Sequence, residues 1–246
     1  MLQDLKVMDQ FTIKPVGEII SPFKTKFGLP RQSGIISSVE SKICLFEEFS
    51  NKDFFRGIEN FSHLWILFVF HHNISSGFNK LVRPPRLGGN KKVGVFSSRS
   101  PFRPNFTGMS AVELVDIKYQ RNTVLTVKGG DFADKTPVID IKPYIKYADS
   151  IEKSECKIFD SKPKKVFDVE FSLQAEEFLK DKKNLKENIE EILSYDPRPG
   201  YLENNCPKNF GMEFDSLDIR FEVKGKILYI KEIVKSLGGD DGSTWY

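Results

Sequence analysis

Apolar and polar positions alternate in short runs over roughly the first 147 residues, a pattern that predicts strands divided by turns. Phe11, Ile13 and Val16 form the first run, which reaches Gly17; Ser21 and Pro22 then break it ahead of an irregular stretch, 24–32. Residues 35–39 and 41–46 carry further strand-like alternation. Asn60, Phe61 and Ser62 lead into a continuous apolar run, 64–70, short enough to be a fully buried strand. Its β-branched and aromatic content favours strand over helix, a choice that periodicity does not make for so short a run. Pro84 and Pro85 make 82–86 an extended loop, because proline lacks an amide donor and restricts the residue before it. A short strand is predicted over 93–96, and a pair over 111–118 and 124–128 about a turn at Arg121 and Asn122.

The pattern changes after that. A polar stretch, 149–165, reads as a linker, and 166–172 as another strand. Leu185, Ile189, Ile192 and Leu193 then recur on one helical face, with Asn184 and Glu187 spaced as a capping box and Pro197 as the stop. Ile219, Phe221 and Val223 alternate up to Lys224 and Gly225, and 227–230 follow, which predicts a terminal hairpin. The glycine-rich end, 238–242, is expected to be mobile. The expected organisation is two domains, 1–148 and 149–246, the first mainly β and the second a smaller α+β unit. A chain of 246 residues is long enough to bury a substantial core for them.

Composition adds to the β-rich reading: 22 Phe, against four Met and two Trp, supply planar side chains suited to a barrel or sandwich interior. No secretory signal is seen, and the longest apolar run falls well short of the roughly 20 residues a membrane helix needs. Cys44, Cys156 and Cys206 are widely spaced with no C-x-x-C pair, which fits a reducing cytoplasm. The net charge of +3 conceals an uneven distribution. No acidic residue lies between Glu59 and Glu113, an interval that holds Lys80, Arg83, Arg86, Lys91, Lys92, Arg99 and Arg103. Folded compactly, this segment presents a positive surface to an anionic partner; as a solvated loop it has its counter-charges nearby in space.

Within it, glycines allow close backbone approach and arginines can fork onto phosphate or carboxylate. Phe102 and Phe106 interleave with Arg99 and Arg103, as rings that stack on a base or as core. Neither a phosphate-loop motif nor a dinucleotide fingerprint occurs, which disfavours a doubly wound methyltransferase fold. His63, His71 and His72 invite a metal hypothesis, but His63 and His71 would lie about 26 Å apart on a straight strand, so no metal is expected. Asp131, Asp134 and Asp140 can serve as base, hydroxyl acceptors or turn formers. Asp196, Pro197, Arg198, Pro199, Gly200 and Tyr201 form a rigid cluster that either clamps RNA or stops the helix and makes a local ion pair.

Several of these blocks, in this order, resemble the TrmO-type proteins, also called the TsaA-like or YaeB family. They are Ile19-Ile20-Ser21-Pro22-Phe23 through Pro30-Arg31-Gln32, Phe61-Ser62-His63-Leu64-Trp65 through His71, and Val82-Arg83-Pro84-Pro85-Arg86-Leu87-Gly88-Gly89-Asn90. Val93-Gly94-Val95-Phe96 through Asn105, Thr136-Pro137-Val138-Ile139-Asp140 through Tyr144, and the cluster at 196–201 complete the match, which spans nearly the whole chain.

The resemblance implies a single-sheet β-barrel methyltransferase domain with a smaller C-terminal domain, in a homodimer that helps complete the cofactor site. It implies S-adenosylmethionine as cofactor, contacted by Pro30, Arg31 and Gln32, by His71 and His72, by Arg99, by the region of Met109, and by Gly129, Gly130, Asp131 and Phe132. The implied reaction is methyl transfer to N6 of threonylcarbamoyl-adenosine beside the anticodon of tRNA. Asp131 and Asp134 are the candidate proton acceptors; Arg83, Arg86, Lys91, Lys92, Arg103 and Arg198 are the candidate RNA phosphate contacts. The competing readings are a noncatalytic RNA-binding module of the same fold and a methyltransferase acting on another substrate.

Overall fold

The computed structural model describes residues 12–87, 90–158, 163–198 and 209–236. Strands β1 (Gly17–Ile20), β2 (Glu40–Leu45) and β3 (His63–Val69) come first, followed by a two-stranded arm, β4 (Leu81–Val82) with β5 (Val93–Gly94). The chain continues through β6 (Thr107–Lys118), β7 (Val124–Lys128) and β8 (Thr136–Pro143) to a single helical turn, α1 (Lys146–Asp149). Six strands close a barrel in the order β1-β2-β7-β6-β3-β8, every neighbouring pair antiparallel. Closure removes the exposed sheet edges that an open sheet of this size would present.

Alternation decides which side chains fill it. Leu64, Ile66 and Phe68 of β3 face Ile43, Val112, Leu125, Val127 and Val138 across the interior. Phe132 is fully buried among them, edge-on to Phe68 with centroids 5.1 Å apart. Gly108 leaves room for that ring stack, since a Cβ there would come within 2.3 Å of the Phe68 ring.

The second unit holds β9 (Asp168–Phe171), α2 (Leu173–Leu179), α3 (Lys183–Ser194), β10 (Asn209–Phe214), β11 (Leu217–Lys224) and β12 (Ile227–Lys235). The sheet order is β10-β11-β12-β9, an antiparallel meander with β9 parallel to β12 at the edge. Ile189, Ile192 and Leu193 turn the apolar face of α3 into its core. Ser172 caps α2, accepting a 3.1 Å hydrogen bond from the Ala175 amide. Ser172→Ala is expected to cost about 1 kcal/mol, read as a lower urea midpoint at unchanged slope.

Three local expectations are corrected. Residues 35–39 form no strand; Ile36 and Val39 are buried in the second unit's core, so their hydrophobicity serves a distant sheet rather than their own ladder. The capping box at Asn184 is not made: α3 begins at Lys183 with Lys182 at its N-cap and no side-chain cap. Val93 and Gly94 are paired, but 95–97 turn into a 3-10 helix. Phe11, Cys206 and 238–242 lie outside the described residues.

Candidate active site

The loop 21–39, between β1 and β2, is laced to the segment that follows β7. Ser21 donates from its hydroxyl to the Phe132 carbonyl at 2.8 Å and from its amide to Asp134 Oδ1 at 2.9 Å. Lys24 Nζ reaches Asp134 Oδ2 at 2.8 Å, and the Gly34 amide donates to the Gly129 carbonyl at 2.8 Å. Gly129 and Gly34 both have positive φ, 78° and 72°, a backbone region costly for any residue with a Cβ. The glycines of this turn therefore let two loops meet backbone to backbone.

Around that junction stands a polar cluster. Gln32 Oε1 accepts a 2.7 Å hydrogen bond from Arg99 Nη1. Ser110, on β6 and only 2% exposed, donates its hydroxyl to Asp131 Oδ1. Asp131 lies deep in the protein yet keeps part of its surface open. Burial pushes its carboxyl above the ordinary range, against the pull of the Ser110 hydroxyl, of the Asp131 and Ser33 amides, and of the Arg99 charge.

His71 and His72 open the 3-10 turn after β3, their rings 3.9 Å apart. Burial lowers both imidazole pKa values, with repulsion from His72 adding at His71 and the Lys26 charge adding at both. Neutral rings can sit this close without mutual repulsion. His71 also feels the Asp134 carboxylate, so the histidines adjoin the far end of the same segment, 129–134.

Of the residues implied to contact cofactor, Gln32, Arg99, Gly129, Gly130 and Asp131 thus come together, while His71 and His72 neighbour Lys26, and His71 also Asp134. Phe132 is buried in the barrel core, and Gly130 is held against its ring, where a Cβ would come within 2.4 Å. Pro30 and Arg31 line, together with Gln32, a cleft of about 100 Å³ whose other walls include Arg86, Ile192, Tyr195 and Asp196. Neither Asp131 nor the histidines line that cleft. Met109 stands apart: it is 55% exposed beside buried Ser110, and successive strand residues face opposite sides of the sheet. It therefore points away from the Asp131 cluster of its own chain. The second candidate base, Asp134, is occupied by Ser21 and Lys24, and Asp140 on β8 pairs with Lys142 at 2.8 Å, away from this cluster.

Arg83, Arg86, Lys91 and Lys92 are exposed on and around the β4–β5 arm, and Arg103 is half-buried, donating to the Ser98 carbonyl at 3.3 Å. Arg198 is a correction. It is 3% exposed, forks onto both Asp196 oxygens at 2.8 and 2.9 Å, and lies over the Phe167 ring at 4.9 Å. A guanidinium so enclosed has no face for phosphate, and the local ion pair is the reading that stands. Phe102 and Phe106 are half-buried, while Phe96, 81% exposed within the basic segment, and Phe78 are the rings that face solvent. Sequence reasoning placed Phe96 in a strand and a family block without a role for its ring, and gave Phe78 none. Among the described residues no cluster of His, Cys, Asp or Glu has the grouping of a metal site.

A closed antiparallel barrel with a polar cluster at loop and strand ends, joined to a small α+β unit, defines a two-part binding protein outside the doubly wound class. Residues 18–150 match the model of the tRNA-methyltransferase O N-terminal domain, and residues 164–236 that of the TrmO C-terminal domain. The chain is 40% identical over 222 residues to an Escherichia coli protein named tRNA (adenine(37)-N6)-methyltransferase, covering 88% of this chain and 94% of that one. A Pseudomonas aeruginosa protein named putative S-adenosylmethionine-dependent methyltransferase RcsF is 36% identical, over 85% and 91% of the two chains. The crystal structure of TrmO from Pseudomonas aeruginosa superposes with a TM-score of 0.74 at 29% identity, covering 92% of this chain and 98% of that one. The chain belongs to the TrmO family.

Proposed function

We propose that this protein transfers the methyl group of S-adenosylmethionine to N6 of an adenosine beside the anticodon of tRNA, and that the adenosine is the threonylcarbamoyl form. The observation that carries the reading is the meeting of Gln32, Arg99, Ser110 and Asp131 at the mouth of the barrel, in a chain that is 40% identical to a tRNA (adenine(37)-N6)-methyltransferase.

The cluster fits the cofactor's chemistry. A partly open carboxylate suits a neighbouring sulfonium, Arg99 and Gln32 offer a cation and amide for a charged amino-acid tail, and the Gly34–Gly129 contact leaves backbone without side chains for a nucleoside to lie against. When bound, S-adenosylmethionine supplies an electrophilic methyl carbon on sulfur. Gln32, Arg99 and the 129–131 backbone would hold the cofactor, and orientation is the main requirement of a direct displacement. Asp131 takes the proton that N6 sheds; its raised pKa brings it nearer the working pH of a general base. The neutral His71 and His72 close the same side and offer hydrogen bonds without adding charge.

The arm carries the RNA. Arg83, Lys91 and Lys92, exposed and without an acidic residue between Glu59 and Glu113, are suited to phosphate, and exposed Phe96 to a base. Lys91→Ala with Lys92→Ala is expected to weaken tRNA binding at all sequences and to lower the slope of log K against log salt by about 2, measured by filter binding across a salt series. The outward Met109 supports a homodimer in which each subunit presents that face to the other. No helix among the described residues is long and apolar enough to cross a membrane. A cytoplasmic location is part of the proposal because tRNA is there.

The deciding experiment is transfer from labelled S-adenosylmethionine to tRNA with and without the threonylcarbamoyl group, followed by nucleoside analysis. Label on threonylcarbamoyl-adenosine alone supports the proposal. Cofactor binding without transfer to either RNA moves the substrate elsewhere, and no cofactor binding leaves an RNA-binding module.

A further inference from the structure

The loop that bears Arg31 and Gln32 is held from two directions. On the barrel side, Gln32 meets Arg99 and Gly34 meets Gly129. On the other side, the hydrogen bonds that hold it come from the α+β unit. Glu191 of α3 accepts hydrogen bonds from the amides of Ser37 and Ser38 at 3.2 and 3.1 Å and from their hydroxyls at 3.3 and 2.5 Å. Arg31 donates to the Arg198 carbonyl at 2.9 Å. Gly28, at φ +83°, lies so near Met212 that a Cβ would come within 2.3 Å of its sulfur. The buried side chains of Ile36 and Val39 complete the same core.

Nothing in the barrel requires two consecutive serines to address one carboxylate of a distant helix. Burial alone would raise the Glu191 carboxyl, but the Ser37 and Ser38 donors outweigh it and hold it below the ordinary range, so it is ionised at neutral pH. Charge-assisted bonds to two backbone amides fix φ and ψ just beyond Gly34, at the point where the loop returns from the polar cluster.

We infer that Glu191 is a positioning residue for cofactor binding: from the α+β unit it holds the 28–39 loop in the shape that presents Gln32 beside Asp131. The inference rests on the reading of Gln32 as a cofactor contact. Its physical content is preorganisation, because a loop already ordered loses less freedom when ligand binds. The α+β unit thereby does more than add surface to the barrel: its state sets cofactor affinity.

The test uses the full chain, with S-adenosylmethionine binding by calorimetry, amide hydrogen exchange across 28–39, and steady-state transfer to tRNA. Glu191→Ala is expected to raise the S-adenosylmethionine Kd and KM about tenfold and to speed exchange in the loop, with kcat at saturating cofactor and the tRNA KM within about twofold. Glu191→Gln, which keeps an acceptor oxygen, should recover part of the loss. Ser37→Ala with Ser38→Ala, which removes two donors from the other side and leaves α3 intact, should raise the Kd about threefold. Gln32→Ala separates the two claims. If it weakens cofactor binding while Glu191→Ala and the serine pair do not, positioning is wrong and the site reading stands; if it too leaves binding unchanged, the site reading fails and the inference with it. Parallel loss of kcat and both KM values in the Glu191 variants would also overturn it, as general destabilisation.

Discussion

Asp131→Asn is expected to leave the barrel folded and to lower methyl transfer about a hundredfold, a loss of roughly 2.7 kcal/mol in transition-state stabilisation. Asparagine keeps the shape and can still accept from Ser110, so the change removes proton acceptance while sparing the packing around Phe132. Single-turnover transfer at saturating S-adenosylmethionine measures it. In the parent protein the rate should fall with acid through the raised pKa of Asp131, since only the ionised form accepts a proton, and that limb should be missing from the variant. Asp134→Asn serves as contrast. Its oxygens hold Ser21 and Lys24, so it should lower the melting temperature and change transfer by less than about tenfold. Equal effects from the two substitutions would remove the base role from Asp131.

Arg198→Ala is expected to destabilise the fold by about 3 kcal/mol and to leave the salt dependence of tRNA binding unchanged. The loss comes from stranding Asp196, whose carboxylate is only partly exposed, and from removing the guanidinium over Phe167. Arg198→Lys should recover little, because one ammonium cannot bond both Asp196 oxygens as the planar fork does. Urea unfolding and a salt series on the same variants separate this from an RNA contact. A salt slope reduced by about 1 with stability intact would return Arg198 to the RNA-binding set.

These two residues mark the reach of sequence reasoning at the site. The segment 129–134 entered as a candidate cofactor site only through the family resemblance, and its Gly129-Gly130-Asp131 run departs somewhat from the family pattern. Which aspartate was available was not legible. Asp131 and Asp134 differ in surroundings, Asp134 being held by Ser21 and Lys24, more than 100 residues earlier, and Asp131 by Ser110 on β6. The motif around Arg198 had two chemical readings, and burial by Phe167 decided between them. Met109 was implied as a cofactor contact by the resemblance, and its outward face follows from the register that puts Ser110 inside.

By itself the sequence determined what short-range physics controls. The alternation of 124–128 and 217–224 makes strands because side chains on an extended chain alternate faces whatever the partner. The 3.6-residue recurrence of Ile189, Ile192 and Leu193 likewise makes a helix with one face to bury. The ordered motif blocks carried the family. Tertiary structure alone decided the rest: that β1 closes the barrel against β8, that 35–39 abandon a strand of their own for another unit's core, and that Glu191 clasps two serines about 150 residues before it. Each depends on contacts between residues far apart in sequence, and a local pattern shows that a side chain must be buried without showing against what.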